Sequence, residues 1–94
     1  MSNKDAYIAK MKLQLDELNA KMSELELKAH EAKEETRERY NAEMSKLHEQ
    51  SQLALDKLEE LKLAGETSWK NMVTETEKVR DAFIKSFHYF KSQL

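Results

Sequence analysis

The sequence of 94 residues contains no cysteine, no proline and one glycine, Gly65. Without cysteine the chain forms no disulfide and performs no thiol chemistry. A chain that turns repeatedly needs residues that fix a turn or tolerate positive φ, and proline and glycine are the main ones. Their scarcity argues against a compact fold with many turns and predicts an all-α protein with few bends.

The sequence also lacks a charge excess and a long apolar run. Its formal net charge is -2 although 36% of its residues are charged, so there is no basic footprint for a nucleic-acid backbone. No apolar run exceeds four residues, and the start, MSNKDAYIAKMK, holds no apolar segment of secretory length. We therefore expect a cytoplasmic protein that does not bind nucleic acid.

Apolar residues recur at alternating steps of three and four through the first two thirds of the chain. This spacing is typical of the a and d positions of a coiled coil. We predict that they form a seam that buries against further copies of the chain. The members of this oligomer seam are Ile8, Met11, Leu15, Leu18, Met22, Leu25, Tyr40, Met44, Leu47, Leu58 and Leu61.

The seam thins near its middle, where Ala29, Ala32 and Thr36 occupy the seam positions. It also shifts there, because Ala29 and Met44 lie 15 residues apart where two heptads would take 14. A one-residue skip relaxes the supercoil without ending the helix. The pattern therefore predicts one continuous helix from about residue 4 to 64.

Gly65 marks the predicted helix boundary. It follows the last seam leucine where a left-handed C′ residue would lie, and Thr67 or Ser68 can cap the next helix with a side-chain oxygen. We predict a break near Gly65 and a second helix over about residues 68–92. Since a glycine inside a helix costs only about 1 kcal/mol relative to alanine, a helix that runs through Gly65 is the alternative.

The C-terminal helix carries an aromatic stripe. At 100° per residue most of its large apolar residues fall within about 80° of arc, and Thr76 is the one polar residue on that arc. We predict that the stripe packs against the first helix or a second chain. The members of this packing stripe are Trp69, Met72, Val79, Phe83, Phe87, Phe90 and Leu94.

The sequence offers no set of residues for catalysis or for a cofactor. His30 and His48 lack the Glu-x-x-His spacing of helical di-iron sites, because Leu27 and Ser45 stand three residues before them. No glycine-rich phosphate loop, no nucleophile with a plausible base and no zinc ligand set is present. We expect no metal, no cofactor and no enzymatic activity.

Three segments carry a family resemblance: LDELNAKMSELELKAHEAKEETRERYNAEMSKL, LDKLEELKLAGETSWKNM, and the aliphatic and aromatic helix that follows. With them the chain resembles a family of small bacterial coiled-coil proteins described as stress-response proteins of cyanobacterial type. The resemblance covers most of the chain. It implies a cytosolic helical protein without known chemistry and with a role in stress.

We interpret residues 1–94 as one coiled-coil domain, a long helix joined to a shorter one in a hairpin or bundle. The two predicted helices would measure roughly 90 and 40 Å, so a hairpin would leave much of the first seam uncovered. A homo-oligomer follows, with a dimer favoured and a tetramer as the alternative. The predicted function is a non-catalytic structural or interaction protein with a stress-related or scaffolding role. Two alternatives use the aromatic C-terminal helix: a peripheral membrane-binding protein, and an adaptor that docks a protein partner.

Overall fold

A computed structural model describes residues 3–93 of the chain, which form three helices in this range. Helix α1 spans Asn3–His30, α2 spans Glu34–Leu63 and α3 spans Trp69–Gln93. The all-α fold class predicted from the scarcity of proline and glycine is confirmed. Leu94, the last member of the predicted stripe, lies outside the described residues.

The predicted helix over residues 4–64 is interrupted at Glu31–Lys33, and this corrects the sequence interpretation. The N–H of Glu31 bonds to the carbonyls of Leu27 and Lys28, which ends α1, and Lys33 is extended, with φ -60° and ψ 149°. Its carbonyl then accepts the N–H groups of Thr36 and Arg37, which begins α2. The small seam residues at this point bury little apolar surface. Continuing the helix through them therefore stabilises the protein less than folding the chain back on itself does.

The three helices form an up-down-up bundle. Near one end, Lys4 Nζ on α1 donates to the Lys62 carbonyl at 3.1 Å and to the Ala64 carbonyl at 2.9 Å. This places a cation at the C-terminal end of α2, where it stabilises unpaired carbonyls. At the far end, Tyr40 on α2 donates to the Gln93 carbonyl at 2.8 Å. Helices α1 and α3 therefore run parallel to each other and antiparallel to α2.

The predicted seam lies in the core of a single chain. Its residues on α1 face those on α2 and α3 within the same chain, so the fold covers them without a second copy. Buried seam residues are Met11, Leu15, Met22, Leu25, Met44, Leu47, Leu58 and Leu61, while Ile8, Leu18 and Tyr40 are partly buried. An oligomer is therefore not needed to cover the first seam in this fold.

The aromatic stripe of α3 faces the same core. Trp69, Phe83, Phe87 and Phe90 are buried, and Met72 and Val79 are partly buried. Each buried phenylalanine contributes about 1.5–3 kcal/mol through removal of apolar surface from water. Thr76, the one polar residue of the stripe, is also buried, and its hydroxyl donates to the Met72 carbonyl at 3.0 Å.

The break near Gly65 lies where the sequence indicates, but its geometry differs from the prediction. Gly65 does not adopt a positive φ. Ala64 leaves the helix in an extended conformation, with φ -70° and ψ 151°, and its N–H bonds to the Leu61 carbonyl at 3.2 Å. The Gly65 carbonyl then accepts the N–H groups of Ser68 and Trp69. The turn thus needs no left-handed residue.

Candidate functional site

A shallow groove runs along the bundle between α1 and α3. Helix α3 packs closely on α2 and touches α1 far less, so these two parallel helices diverge at the surface. Three consecutive cavities of about 170, 210 and 210 Å³ follow the opening from one end toward the other. The first lies beside Tyr7 and Arg80, the second beside Leu18 and Ile84, and the third beside Leu25. We call this feature the α1–α3 groove.

The floor of the α1–α3 groove is apolar in its middle and lower parts. Phe87 lines both the second and the third cavity, together with Leu18 in the second and Leu25 in the third. Ile84 adds a partly buried aliphatic side chain from α3. Ile84 lies one residue beyond Phe83, and therefore about 100° from it, on the flank of α3 that faces α1. Leu18, Leu25 and Phe87 thus pack in the core of the bundle and also form the floor of the open groove.

The rim of the groove carries more cations than carboxylates. The cationic rim residues are Lys10, Lys21 and Lys28 on α1 and Arg80 and Lys91 on α3, and the acidic ones are Glu17, Glu24 and Glu77. His88 stands beside Ile84 in the second cavity. The third cavity has three lysines around it, Lys21, Lys28 and Lys91, against one carboxylate. Its potential is therefore positive above an apolar floor.

Tyr7 closes the upper end of the groove. Its hydroxyl donates to Glu77 Oε1 at 3.0 Å, which joins α1 to α3, and its ring lies 5.9 Å from the ring of Trp69. Burial, followed by the hydrogen bond to Glu77, raises the pKa of Tyr7 to about 12. Both effects favour the neutral phenol over the phenolate. Glu77 is therefore held by a hydrogen bond within the fold at this end of the groove.

In residues 3–93, no group of three or more His, Asp or Glu side chains is placed to hold a metal ion. His48 Nε2 lies 2.6 Å from Glu26 Oε1, a contact between α2 and α1 at the surface, and His30 is exposed in the last turn of α1. None of α1, α2 and α3 is long and apolar enough to cross a membrane.

The structure brings part of the sequence-predicted residues to the groove. Leu18 and Leu25 of the seam and Phe87 of the stripe line it, whereas Met44, Leu47 and Phe83 lie in the closed core. Gln14, Arg80 and Ile84 were not among the residues predicted from the sequence, although all three line the cavities. One signal existed for Ile84, which is a large aliphatic residue outside the narrow arc of the stripe.

Comparisons with known proteins identify no relative. No protein-family model matches the chain, and neither the curated proteins nor the solved structures include a match. The class of the protein therefore follows from its fold and its groove: a small three-helix bundle with an open apolar groove between two parallel helices.

Proposed function

We propose that this protein is a non-catalytic interaction protein that binds an amphipathic helix of a partner protein in the α1–α3 groove. The observation that carries the proposal is the apolar floor formed by Leu18, Ile84 and Phe87 between two helices that diverge at the surface. Binding of an amphipathic helix in an apolar groove is a common mode of protein recognition. A fourth helix here would complete a four-helix bundle and cover the floor.

The charges of the rim define the chemistry of the partner. Lys21, Lys28 and Lys91 surround the lower part of the groove. Glutamates or aspartates on both flanks of a partner's apolar face would meet these lysines, whereas lysines there would be repelled. Complementary charges at a rim increase the association rate and select among partners more than they increase affinity. The partner helix therefore has leucine-like residues on one face and acidic residues beside them.

We propose that a protein with such a groove has a structural or scaffolding role and that its setting is the cytoplasm. The composition supports this setting, because the chain has no cysteine and no long apolar run. The stress-related role implied by the family resemblance stays a prediction.

The membrane-binding alternative relied on the aromatic residues of α3. Because Phe83 and Phe90 are buried in the bundle and Phe87 lies at the floor of the α1–α3 groove, the three rings do not form a surface that faces lipid, and we do not propose that alternative.

The proposal is tested with two designed peptides of about three heptads, both with leucine at positions a and d. One carries glutamate and the other lysine at the flanking positions. We expect the acidic peptide to bind the full chain, as measured by fluorescence anisotropy, and the basic peptide to bind at least tenfold more weakly. Binding should shift the NMR signals of the Leu18 and Ile84 methyl groups, since both line the second cavity.

Matched variants on α3 separate the groove from the rest of the surface. Lys91→Glu should weaken the acidic peptide several-fold, because Lys91 lines the third cavity. Lys85→Glu makes the same charge change at an exposed position outside the cavities and should leave binding unchanged. Ile84→Asp should abolish binding of the peptide, because it places a charged group in the apolar floor of the groove. Equal binding of the two peptides, or a loss caused equally by Lys85→Glu and Lys91→Glu, would refute the proposal.

A further inference from the structure

The turn between α1 and α2 contains no residue that stops a helix. Glu31, Ala32 and Lys33 are residue types with high helix propensity, and none of them has a positive φ. Lys33 is the N-cap of α2, but its side chain makes no capping hydrogen bond. The one glycine of the chain lies in the other turn. The packing of the helices therefore holds the α1–α2 turn more than its own sequence does.

Straightening this turn would replace its few hydrogen bonds with helical ones. The Ala32 N–H bonds to the Ala29 carbonyl at 3.2 Å, and Arg37 Nη2 donates to the Ala32 carbonyl at 3.2 Å. In a continuous helix the Ala32 N–H would bond to the Lys28 carbonyl, and the Ala32 carbonyl would accept the Thr36 N–H. The unpaired carbonyls at the end of α1 would also meet the unpaired N–H groups at the start of α2. In a single chain, straightening is therefore opposed by the loss of α1 from the core.

The contacts of α1 with α2 are centred on residues close to this turn. The midpoints along the chain of three polar contacts are residues 33, 35 and 37, for Lys4 with the Lys62 carbonyl, Asn19 with Ser51, and Glu26 with His48. Two straight, antiparallel copies of one helix are related by a two-fold axis at such a midpoint. Two copies of a helix that runs through α1 and α2 would therefore make the same contacts between chains, each of them twice.

We propose that two copies of this chain exchange α1, which gives a domain-swapped dimer with α1 and α2 joined in one continuous helix. In the dimer, α1 of each copy lies on α2 and α3 of the other. The fold itself identifies what occupies the surface that α1 leaves. That surface buries Met11, Leu15, Met22 and Leu25, and α1 of a second copy carries the same residues. The exchange keeps these contacts and adds the helical bonds of the straightened turn.

The residues near the two-fold axis affect the exchange in opposite directions. Ala29, Ala32 and Thr36 form the seam there, and their small side chains let two long helices approach closely. Glu35 is exposed beside the axis and faces its own counterpart, which disfavours the dimer. A single exposed charge pair contributes little, so the turn and the seam decide the outcome.

The protein concentration determines which form prevails. The short turn holds α1 beside its own α2 and α3 at an effective concentration on the order of millimolar. In dilute solution the single-chain bundle therefore prevails, and the dimer forms as the concentration approaches that range. Each half of the dimer keeps the α1–α3 groove, with α1 from one copy and α3 from the other. The inference does not depend on the proposed function.

The test is to unfold the full chain in urea, refold it at about 1 mM, and separate the products by size exclusion with light scattering. We expect a dimer that returns to monomer only slowly on dilution, because α1 must leave one core before it enters another. Refolding at about one hundredth of that concentration should give monomer alone.

Two variants with an altered turn should shift the equilibrium in opposite directions. Deletion of Ala32 leaves two residues for the turn and brings Ala29 and Met44 to the 14-residue spacing of two heptads. Because a strained short turn favours exchange, the deletion should lower the dimer dissociation constant by about tenfold or more. Insertion of two glycines between Ala32 and Lys33 relaxes the turn and weakens the helix, and should remove the dimer. Circular dichroism verifies that both variants keep their helix content.

Spin labels at Ala6 and Glu60 distinguish the swapped dimer from two bundles that associate side by side. Labelled chain is refolded with an excess of unlabelled chain, so that the measured distances lie within one chain. The swapped dimer predicts about 80 Å, whereas bundles side by side keep the labels within about 20 Å. None of the altered or labelled residues lines the α1–α3 groove, so the result is independent of peptide binding.

Three results would overturn the proposal: an unaltered chain that stays monomeric after refolding at the higher concentration, a dimer with the short distance, and an equal dimer fraction in the glycine-insertion variant. If the deletion variant does not fold, the unaltered chain and the insertion variant still decide between the outcomes.

Discussion

The hydroxyl of Ser51 on α2 donates a hydrogen bond of 2.7 Å to the side-chain oxygen of Asn19 on α1. Ser51 is buried and Asn19 is partly buried, and the Asn19 amide nitrogen in turn donates to the Leu15 carbonyl at 3.0 Å. A polar pair between two helices is satisfied only when the two residues are level with each other. It therefore favours one register of α1 on α2 over slipped ones, as a polar residue in a coiled-coil seam does.

The first prediction concerns this pair. Ser51→Ala should lower the free energy of unfolding by about 1–2 kcal/mol, because it leaves the Asn19 oxygen without its donor. Replacing both partners, with Asn19→Leu and Ser51→Ala, should recover most of that loss. Urea unfolding measures both values. Ser45→Ala, an exposed change on the same helix, should stay within about 0.5 kcal/mol, and a double variant no more stable than Ser51→Ala alone would argue against the pairing.

The sequence predicted the faces of the helices better than their ends. Met11, Leu15 and Leu58 lie in the core because a period of 3.6 residues fixes which side of a helix is apolar, whatever that side packs against. The turn at Glu31–Lys33 has neither glycine nor proline. Its local signals are weak ones: Lys28 and His30 end α1, and Glu34 and Glu35 begin α2, as the helix dipole favours.

The α1–α3 groove could not be predicted from the sequence, for a different reason. Leu18 and Phe87 have the spacing of core residues, and nothing local shows that one edge of each stays open. Whether an edge stays open depends on how much more closely α3 packs on α2 than on α1, which is a property of the assembled bundle. The seam likewise contained no information on whether its partner was another chain or a later part of the same chain.

Phe83 provides a prediction on the core. Phe83 is fully buried, and Phe83→Ala should cost about 3–5 kcal/mol, a large part of the about 5–15 kcal/mol that stabilises a domain. Phe83→Leu leaves a smaller cavity and should fold with a smaller loss, which keeps the test measurable. Tyr89→Ala on the same helix removes a 54% exposed ring and serves as the control. Equal thermal melts for the alanine variants at residues 83 and 89 would contradict the burial of the stripe.

Gly65→Ala should raise the stability slightly. Since Gly65 has no positive φ, alanine is not strained there, and an added Cβ would meet only Ser68 Oγ, at 4.0 Å. The substitution restricts the unfolded chain and should contribute about 0.4–1 kcal/mol. Thermal unfolding followed by circular dichroism is the measurement. A loss of stability of 1 kcal/mol or more would indicate a left-handed residue in solution.

Tyr7 provides a prediction on pH dependence. Below about pH 10 the tyrosine is neutral in both the folded and the unfolded chain. Between there and its raised pKa of about 12, the unfolded chain loses the phenolic proton while the folded chain keeps it. Stability should therefore fall as the pH rises through this window. A titration of tyrosinate absorbance should show one late-titrating phenol, which Tyr7→Phe removes and Tyr89→Phe does not.

The most direct test of the fold is the distance between the start of α1 and the end of α2. In the folded-back bundle Lys4 contacts the Lys62 carbonyl at 3.1 Å, so spin labels placed at Ala6 and Glu60 should lie within about 20 Å of each other in one chain. Dilution with unlabelled chain removes distances between copies. A continuous helix over residues 4–64 would separate the same two labels by about 80 Å. Electron–electron dipolar spectroscopy distinguishes the two results: the short distance supports the folding back of α2 on α1, which the bundle and its groove require, and the long one contradicts both.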